Sequence, residues 1–291
     1  MAFRQAKGDD RSGTTQGNNE SSSPGAGPKG DGVRVDDPNF MTSIARGLSV
    51  IRSFTAQKPN LMIAEVAKIS GLPRAAARRC LYTLEQLGYV GSDGRTFFLR
   101  PKILSLGYAF LSSATLPQAI QPVLEEVSAT LQESASAAVL EEGEVVYIAR
   151  AATKRIMSVD LNVGSRLPAY CTSLGRVLLA HLPQAEFEAY LDHVELKPLT
   201  ERTITRRDLL RSAVAQVRET GYSLVDQELE IGLLSVAVPI RSMTGRVVAA
   251  MNLSIQAGRV RPGEIESLYL PILQTAANEA KICIASTETR R

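Results

Sequence analysis

The sequence is poor in the residues that most often carry chemistry. It holds two histidines and three cysteines in 291 positions. His181 and His193 stand at no ligand spacing from each other or from a cysteine, so the usual zinc patterns are excluded and no metal site is expected. Cys80, Cys171 and Cys283 are far apart and odd in number, which fits reduced thiols in the cytoplasm rather than a disulfide framework. No apolar run approaches the roughly 20 residues of a membrane helix. Residues 1–19 show no apolar stretch of the kind that a secretory signal needs. There is no P-loop pattern, and the one Gly-x-Gly-x-x-Gly spacing, Gly25-Ala26-Gly27-Pro28-Lys29-Gly30, lies in the Ser- and Pro-rich tail rather than between a strand and a helix, so no nucleotide or other cofactor is expected. Nucleophilic catalysis wants a base and an orienting group beside the nucleophile. Cys171 and His181 are close in sequence, but across an expected loop-to-helix junction, which is a weak basis for a catalytic pair.

What the sequence does have is unevenly placed charge. The net of +3 hides three regions. Residues 1–40 carry five basic and six acidic side chains, and residues 41–113 carry ten basic against three acidic. Residues 114–291 carry 18 basic and 21 acidic, so the positive charge is concentrated in one short module. That is the electrostatic footprint of a nucleic-acid binder.

The length suits two domains plus a tail. Residues 1–40 read as a disordered tail, because the run Ser21-Ser22-Ser23-Pro24-Gly25-Ala26-Gly27-Pro28 buries too little apolar surface to offset its ordering entropy. Helical periodicity begins after Phe40, with Ile44, Leu48, Ile51 and Phe54 on one stripe that ends at Lys58-Pro59-Asn60. A second helix is expected over 63–70, burying Ile63, Val66 and Ala67. Gly71 then suits a left-handed turn and Pro73 a helix start. In the third helix Ala77, Leu81, Leu84 and Leu87 form the inward stripe, and Ala75, Arg78, Arg79 and Tyr82 fall on the opposite face. Tyr89-Val90, a Ser92-Asp93-Gly94 turn and Phe97-Phe98-Leu99 read as a β-hairpin. Such a layout is a winged helix-turn-helix over 41–100, in which the last helix enters the major groove of an operator in double-stranded DNA. A charged helix face is ordinarily just solvated; the compact spacing, the hairpin and the local excess of positive charge reverse that preference. The DNA-contacting candidates are Arg46, Arg74, Ala75, Arg78, Arg79, Tyr82 and Arg95.

A linker helix is expected over 101–114, bearing Leu104, Leu106, Phe110 and Leu111, and another helix from Pro117 to Glu133. From Ser136 the pattern changes. Residues 137–140, 145–150 and 156–161 read as strands, 173–182 as a helix, and Thr205-Arg206-Arg207-Asp208 as a capping box for a helix that reaches Thr220. Residues 222–225, 235–241 and 247–255 are strands, the last two a hairpin, and 262–285 a closing amphipathic helix. The expectation for 115–288 is therefore α+β, a mainly antiparallel sheet flanked by helices.

This second domain reads as a binder. Cys171-Thr172-Ser173-Leu174-Gly175 places hydroxyls and amides at a helix N-terminus, where unpaired N–H groups favour an anion. The equal alternative is Ser173 as a plain N-cap. Asp226 and Glu228 are placed to cap or gate a pocket, and Ser235 and Asn252 put polar groups among apolar sheet positions. Arg155, Arg166 and Arg176 are the candidates for a charge-assisted contact.

At this point the sequence resembles the IclR family of bacterial transcriptional regulators, over about residues 42–286. The resemblance is carried by Ile44-Ala45-Arg46-Gly47-Leu48-Ser49-Val50-Ile51, Gly71-Leu72-Pro73-Arg74 and Leu84-Glu85-Gln86-Leu87-Gly88-Tyr89-Val90. It continues in Gly164-Ser165-Arg166-Leu167-Pro168-Ala169-Tyr170-Cys171-Thr172-Ser173-Leu174-Gly175-Arg176 and Asp226-Gln227-Glu228-Leu229-Glu230-Ile231-Gly232. Arg74-Ala75-Ala76-Ala77-Arg78-Arg79 and 166–173 are similar to the subgroup that controls aromatic-acid catabolism through the β-ketoadipate pathway. The resemblance implies an effector domain related to GAF and PAS-like sensors, dimers or tetramers, and a small carboxylic-acid effector. RNA polymerase is a further partner if the protein activates. Serine or threonine is common in the family where Ala75 and Ala76 stand, and lysine where Arg176 stands. The competing readings are a regulator of another catabolic pathway, an enzyme with an accessory helix-turn-helix, and a structural DNA-binding protein without a ligand. No convincing base and nucleophile supports the enzyme, and a structural binder needs no sensor-like domain.

Overall fold

The computed structural model describes residues 37–113, 115–153, 161–261 and 263–288. Residues 1–36 of the expected tail, the strand expected at 156–161 apart from Leu161, Arg155, and the Leu111 side chain lie outside the described residues.

The first three helices are α1 (Thr42–Arg52), α2 (Ile63–Ser70) and α3 (Arg74–Gln86). Gly71 ends α2 with φ +68°, a left-handed conformation that side chains with a Cβ adopt only under strain. The short strands β1 (Asn60–Leu61), β2 (Val90–Ser92) and β3 (Phe97–Leu99) form an antiparallel sheet in the order β1-β3-β2. The hairpin is thus joined by a strand that the sequence pattern showed only as a breaker. Val50, Leu61, Val66, Ala67, Ala77, Leu81, Leu84 and Val90 make the core of this unit. Two expectations are corrected here. Ile44 and Leu48 are 55% and 52% exposed, because α1 meets the core only near its C-terminal end, at Val50. Leu87 lies past the end of α3 and is exposed, so the inward stripe stops at Leu84.

Pro101–Ile103 form one 3-10 turn that leads into α4 (Leu104–Ser113) and α5 (Thr115–Leu131). The sheet strands follow as β4 (Ser134–Glu141), β5 (Glu144–Ala151) and β6 (Arg166–Pro168). Then come α6 (Ser173–Ala180), α7 (Gln184–His193), α8 (Arg207–Thr220) and β7 (Ser223–Asp226). The hairpin of β8 (Leu233–Arg241) and β9 (Val247–Gln256), a π-helical turn at Ile265–Tyr269 and α9 (Leu270–Glu288) complete the order. The six strands pair antiparallel in the order β6-β5-β4-β9-β8-β7.

Period-2 alternation divides this sheet into two faces. Ala249, Met251, Leu253 and Ile255 of β9 and Val236, Val238 and Ile240 of β8 pack against α5 and α9. Ala138, Ala237 and Ala250 face the other way, toward α6 and α8. Their small side chains let α6 lie close to the sheet, and all eight of its residues are buried. Gly175 shows how close: a Cβ there would lie 2.1 Å from the Ala169 carbonyl oxygen.

The expected capping box at 205–208 is not formed. Arg206, not Thr205, is the N-cap residue of α8, and it makes no side-chain cap; its guanidinium instead pairs with Asp208. Strand β6 and helix α7 were not anticipated. β6 is only three residues long, and α7 has little amphipathic contrast, with Phe187 and Leu191 as its buried residues.

Candidate functional site

The outer face of α3 carries Arg74, Ala75, Arg78, Arg79 and Tyr82, all exposed. Tyr82 is 61% exposed although aromatic. None of the three guanidiniums has a carboxylate partner among the described residues. Arg46 on α1 is exposed too. Arg95 lies in the turn between β2 and β3, exposed as well. That turn is organised by Asp93, whose carboxylate accepts the N–H groups of Arg95 (2.8 Å) and Thr96 (2.6 Å) and the Thr96 hydroxyl (2.8 Å). These donors hold the Asp93 carboxyl at a pKa of about 2. Lys102 has a different role: its ammonium donates to the Leu87 carbonyl at 2.8 Å and lies over the Tyr89 ring, tying the end of α3 to the 3-10 turn that follows the wing.

In the C-terminal part, Thr172 and not Ser173 is the N-cap of α6. The Thr172 hydroxyl accepts the Gly175 N–H at 3.2 Å, so that amide serves the cap. Ser173 turns its hydroxyl to Ser235 on β8, 2.7 Å away. Asn252 donates to the same Ser235 oxygen at 2.8 Å, and Ser235 donates to the Leu253 carbonyl. Around this cluster lies a cavity of about 30 Å³, lined by Tyr147, Arg150, Thr172, Ser173, Ser235 and Asn252 among others. Apolar side chains of Leu161, Val225, Leu229 and Leu233 close it. A space of that size holds about one water molecule, so an organic acid enters only if the walls part. Burial pushes the Tyr147 phenol up to about 12, so it stays protonated and able to donate at neutral pH. Arg150 reaches the Ser136 hydroxyl at 3.1 Å. No carboxylate lines this cavity among the described residues.

The expected effector residues therefore separate. Thr172, Ser173, Ser235 and Asn252 meet at the cavity. Leu174 is buried in the core beside the sheet, and Gly175 packs on the Ala169 backbone. Asp226 is exposed and paired with Arg202. Glu228 is buried in an ion pair with Arg176 at 2.6 Å and also accepts the Ile204 N–H. Arg166 is held by Glu141, Glu142 and Glu144 at the sheet edge. Of the three arginines weighed for a charged contact, neither described one faces the cavity; Arg150 does, and periodicity alone marked it only as the end of a strand. A larger open groove of about 700 Å³ runs beside α7, but Glu142, Glu144, Glu186 and Glu195 line it, which disfavours an anion.

The weighed catalytic pair does not form: Cys171 and His181 each have another partner. Burial raises the Cys171 thiol to about 12, and its sulfur faces the Pro168 carbonyl. His181 bonds Val177 through Nδ1 and faces Arg241 through Nε2. Among the described residues there is no metal-binding group of His, Cys, Asp or Glu, and no helix long and apolar enough to cross a membrane.

An arginine-faced winged helix-turn-helix followed by a sheet-and-helix unit with a small cavity of mixed polar and apolar lining defines a class, that of DNA-binding regulators with a sensor domain. The chain belongs to the IclR family: residues 43–94 match the IclR helix-turn-helix domain, and residues 108–282 match the C-terminal domain of the bacterial transcriptional regulator IclR. The family is one of DNA-binding regulators and not of enzymes. The chain is 50% identical over 244 residues to the Pca regulon regulatory protein of Pseudomonas putida, covering 84% of each. A transcriptional regulator from Rhodococcus sp. RHA1 superposes with TM-score 0.75 at 45% identity, covering 85% of this chain and 99% of that one. An IclR homologue from Microbacterium hydrocarbonoxydans, solved with 4-hydroxybenzoate, gives 0.71 at 26% identity, covering 84% and 99%.

Proposed function

We propose that the protein regulates genes of aromatic-acid catabolism, and that a small carboxylic acid bound in the cavity beside α6 controls its action on operator DNA. In this reading residues 41–100 are the DNA-binding head, 101–114 the linker and 115–288 the sensor, working in the cytoplasm. The observation that carries the effector reading is the cavity itself: hydroxyls, an amide and the Arg150 guanidinium line it, and no described carboxylate opposes an anion. The names of the relatives support the pathway. Arg74, Ala75, Arg78, Arg79 and Tyr82 read the operator, while Arg46 and Arg95 contact phosphates. Ligand must favour one of two arrangements of the heads if it is to alter transcription. The protein works as a dimer or tetramer, since α4 carries exposed apolar pairs on two sides, Leu106 with Phe110 on one and Leu104 with Tyr108 on the other, that offer contact surface, and two-fold pairing suits palindromic sites.

The test is calorimetry on the full chain with protocatechuate, 4-hydroxybenzoate and β-ketoadipate, each repeated on Ser173→Leu. At least one acid should bind the wild type, and the bulky leucine should abolish that binding. Tight binding unchanged by Ser173→Leu places the pocket elsewhere; no binding by any of the three removes the pathway assignment.

A further inference from the structure

Asn252 is 3% exposed, and its Oδ1 has no hydrogen-bond partner. Buried side-chain oxygens of this kind rarely go without a donor. The orientation of the amide follows from its neighbours. The Ser235 hydroxyl has one proton, which goes to the Leu253 carbonyl at 3.0 Å. It therefore accepts from Ser173 and from Asn252, and the Asn252 group that faces it must be the NH₂. The Asn252 oxygen is left over.

The sheet places this oxygen opposite a cation. Arg150 on β5 pairs in register with Ser136 on β4, and Ser136 pairs with Asn252 on β9. Strands lie about 4.8 Å apart, so the guanidinium-bearing and amide-bearing backbones stand two strands apart across the same cavity. One end suits a carboxylate. The other is an acceptor that a second carboxylate, a ketone or a bare ring edge leaves unsatisfied. An ammonium has no described carboxylate there to balance it.

We infer that Asn252 is the specificity-determining residue of this cavity and selects a carboxylic acid that also carries a hydroxyl group, the hydroxyl donating to its Oδ1. The inference rests on the effector reading above and narrows it. In the ligand-free protein a single water can fill the role, and a ligand that displaces this water without replacing its donor loses affinity.

Calorimetry on the full chain tests this with 4-hydroxybenzoate, protocatechuate, benzoate, 4-fluorobenzoate and β-ketoadipate. Fluorine is close to hydroxyl in size but donates nothing, so this comparison needs no variant. One of the hydroxylated acids should bind at least tenfold tighter than benzoate, 4-fluorobenzoate and β-ketoadipate. In Asn252→Leu, checked for folding by its melting curve, that ratio should fall toward one. Benzoate, 4-fluorobenzoate or β-ketoadipate binding as tightly as the hydroxylated acids overturns the inference and leaves the effector reading standing. A preference that survives in folded Asn252→Leu also overturns it. Failure of every acid to bind overturns both.

Discussion

Arg78 and Arg79 are adjacent on the exposed face of α3, and among the described residues neither is held by a carboxylate. An arginine free of intramolecular pairing can turn its planar fork to the O6 and N7 of guanine. Arg78→Ala should weaken operator binding by about 1–3 kcal/mol if it makes one bidentate contact, and relax base preference at that position. Arg95→Ala should instead lower affinity evenly across sequences and flatten the salt dependence. Titrations of operator and scrambled DNA at two salt concentrations read both effects; an operator affinity and preference untouched by both Arg78→Ala and Arg79→Ala mean that α3 is not the reader. Arg176 is a contrast. Its charge is enclosed with Glu228, and its Nε donates to the Tyr170 carbonyl, so it ties α6 to the 226–232 loop and presents nothing to a ligand. Sequence spacing could not tell these arginines apart. An exposed arginine and a buried, paired one read alike until the fold supplies the partner, and the same holds for Arg150.

Two elements carry predictions of their own. Helix α6 approaches the backbone at Ala169 so closely that Gly175→Ala forces a Cβ onto a carbonyl that cannot give way. Overpacking of this kind should cost about 1–3 kcal/mol. Urea unfolding monitors it, and a midpoint equal to wild type would mean that the helix shifts freely. The wing turn carries the pH dependence. The folded pKa of Asp93 is depressed from 3.8 to about 2, so the stabilisation of the turn is complete above the unfolded value and is lost as pH falls through the folded one. Amide resonances of Arg95 and Thr96 should therefore move together between about pH 3 and 1, centred on the folded pKa, and stay still over that window in Asp93→Asn. At this scale much was readable beforehand. The α2 boundaries, the Gly71 turn, the Asp93-Gly94 hairpin and the β8–β9 pairing all follow from strong local signals of periodicity and turn chemistry. The elements that were missed, β1, β6 and α7, are held by partners remote in sequence and have no pattern of their own. The cavity was legible in part: Ser235 and Asn252 stood out as polar residues in apolar strands, whereas the α6 N-terminus attracted an anion reading that the Thr172 cap and the Ala169 contact leave little room for.

At the scale of the whole molecule the exposed apolar surface asks for an explanation. Leu104, Tyr108 and Phe110 are 71%, 69% and 56% exposed, and they stand in sequence between the DNA-binding head and the sensor. Met41, Ile44 and Leu48 of the head are more than half exposed as well. Single exposed hydrophobes are ordinary; a run of them along one helix marks a contact surface. A lone winged helix touches too little DNA for tight specific binding, so covering these residues with a second copy would join two heads and double the contact. The protein should therefore elute and scatter as a dimer or larger at micromolar concentration. Leu106→Glu with Phe110→Glu should shift it toward monomer, and operator affinity should fall while the melting curve of the sensor is kept, because neither side chain belongs to its core. Wild-type protein that scatters as a monomer while binding its operator tightly would remove the dimer from the proposal. A double variant that stays dimeric would move the interface off α4.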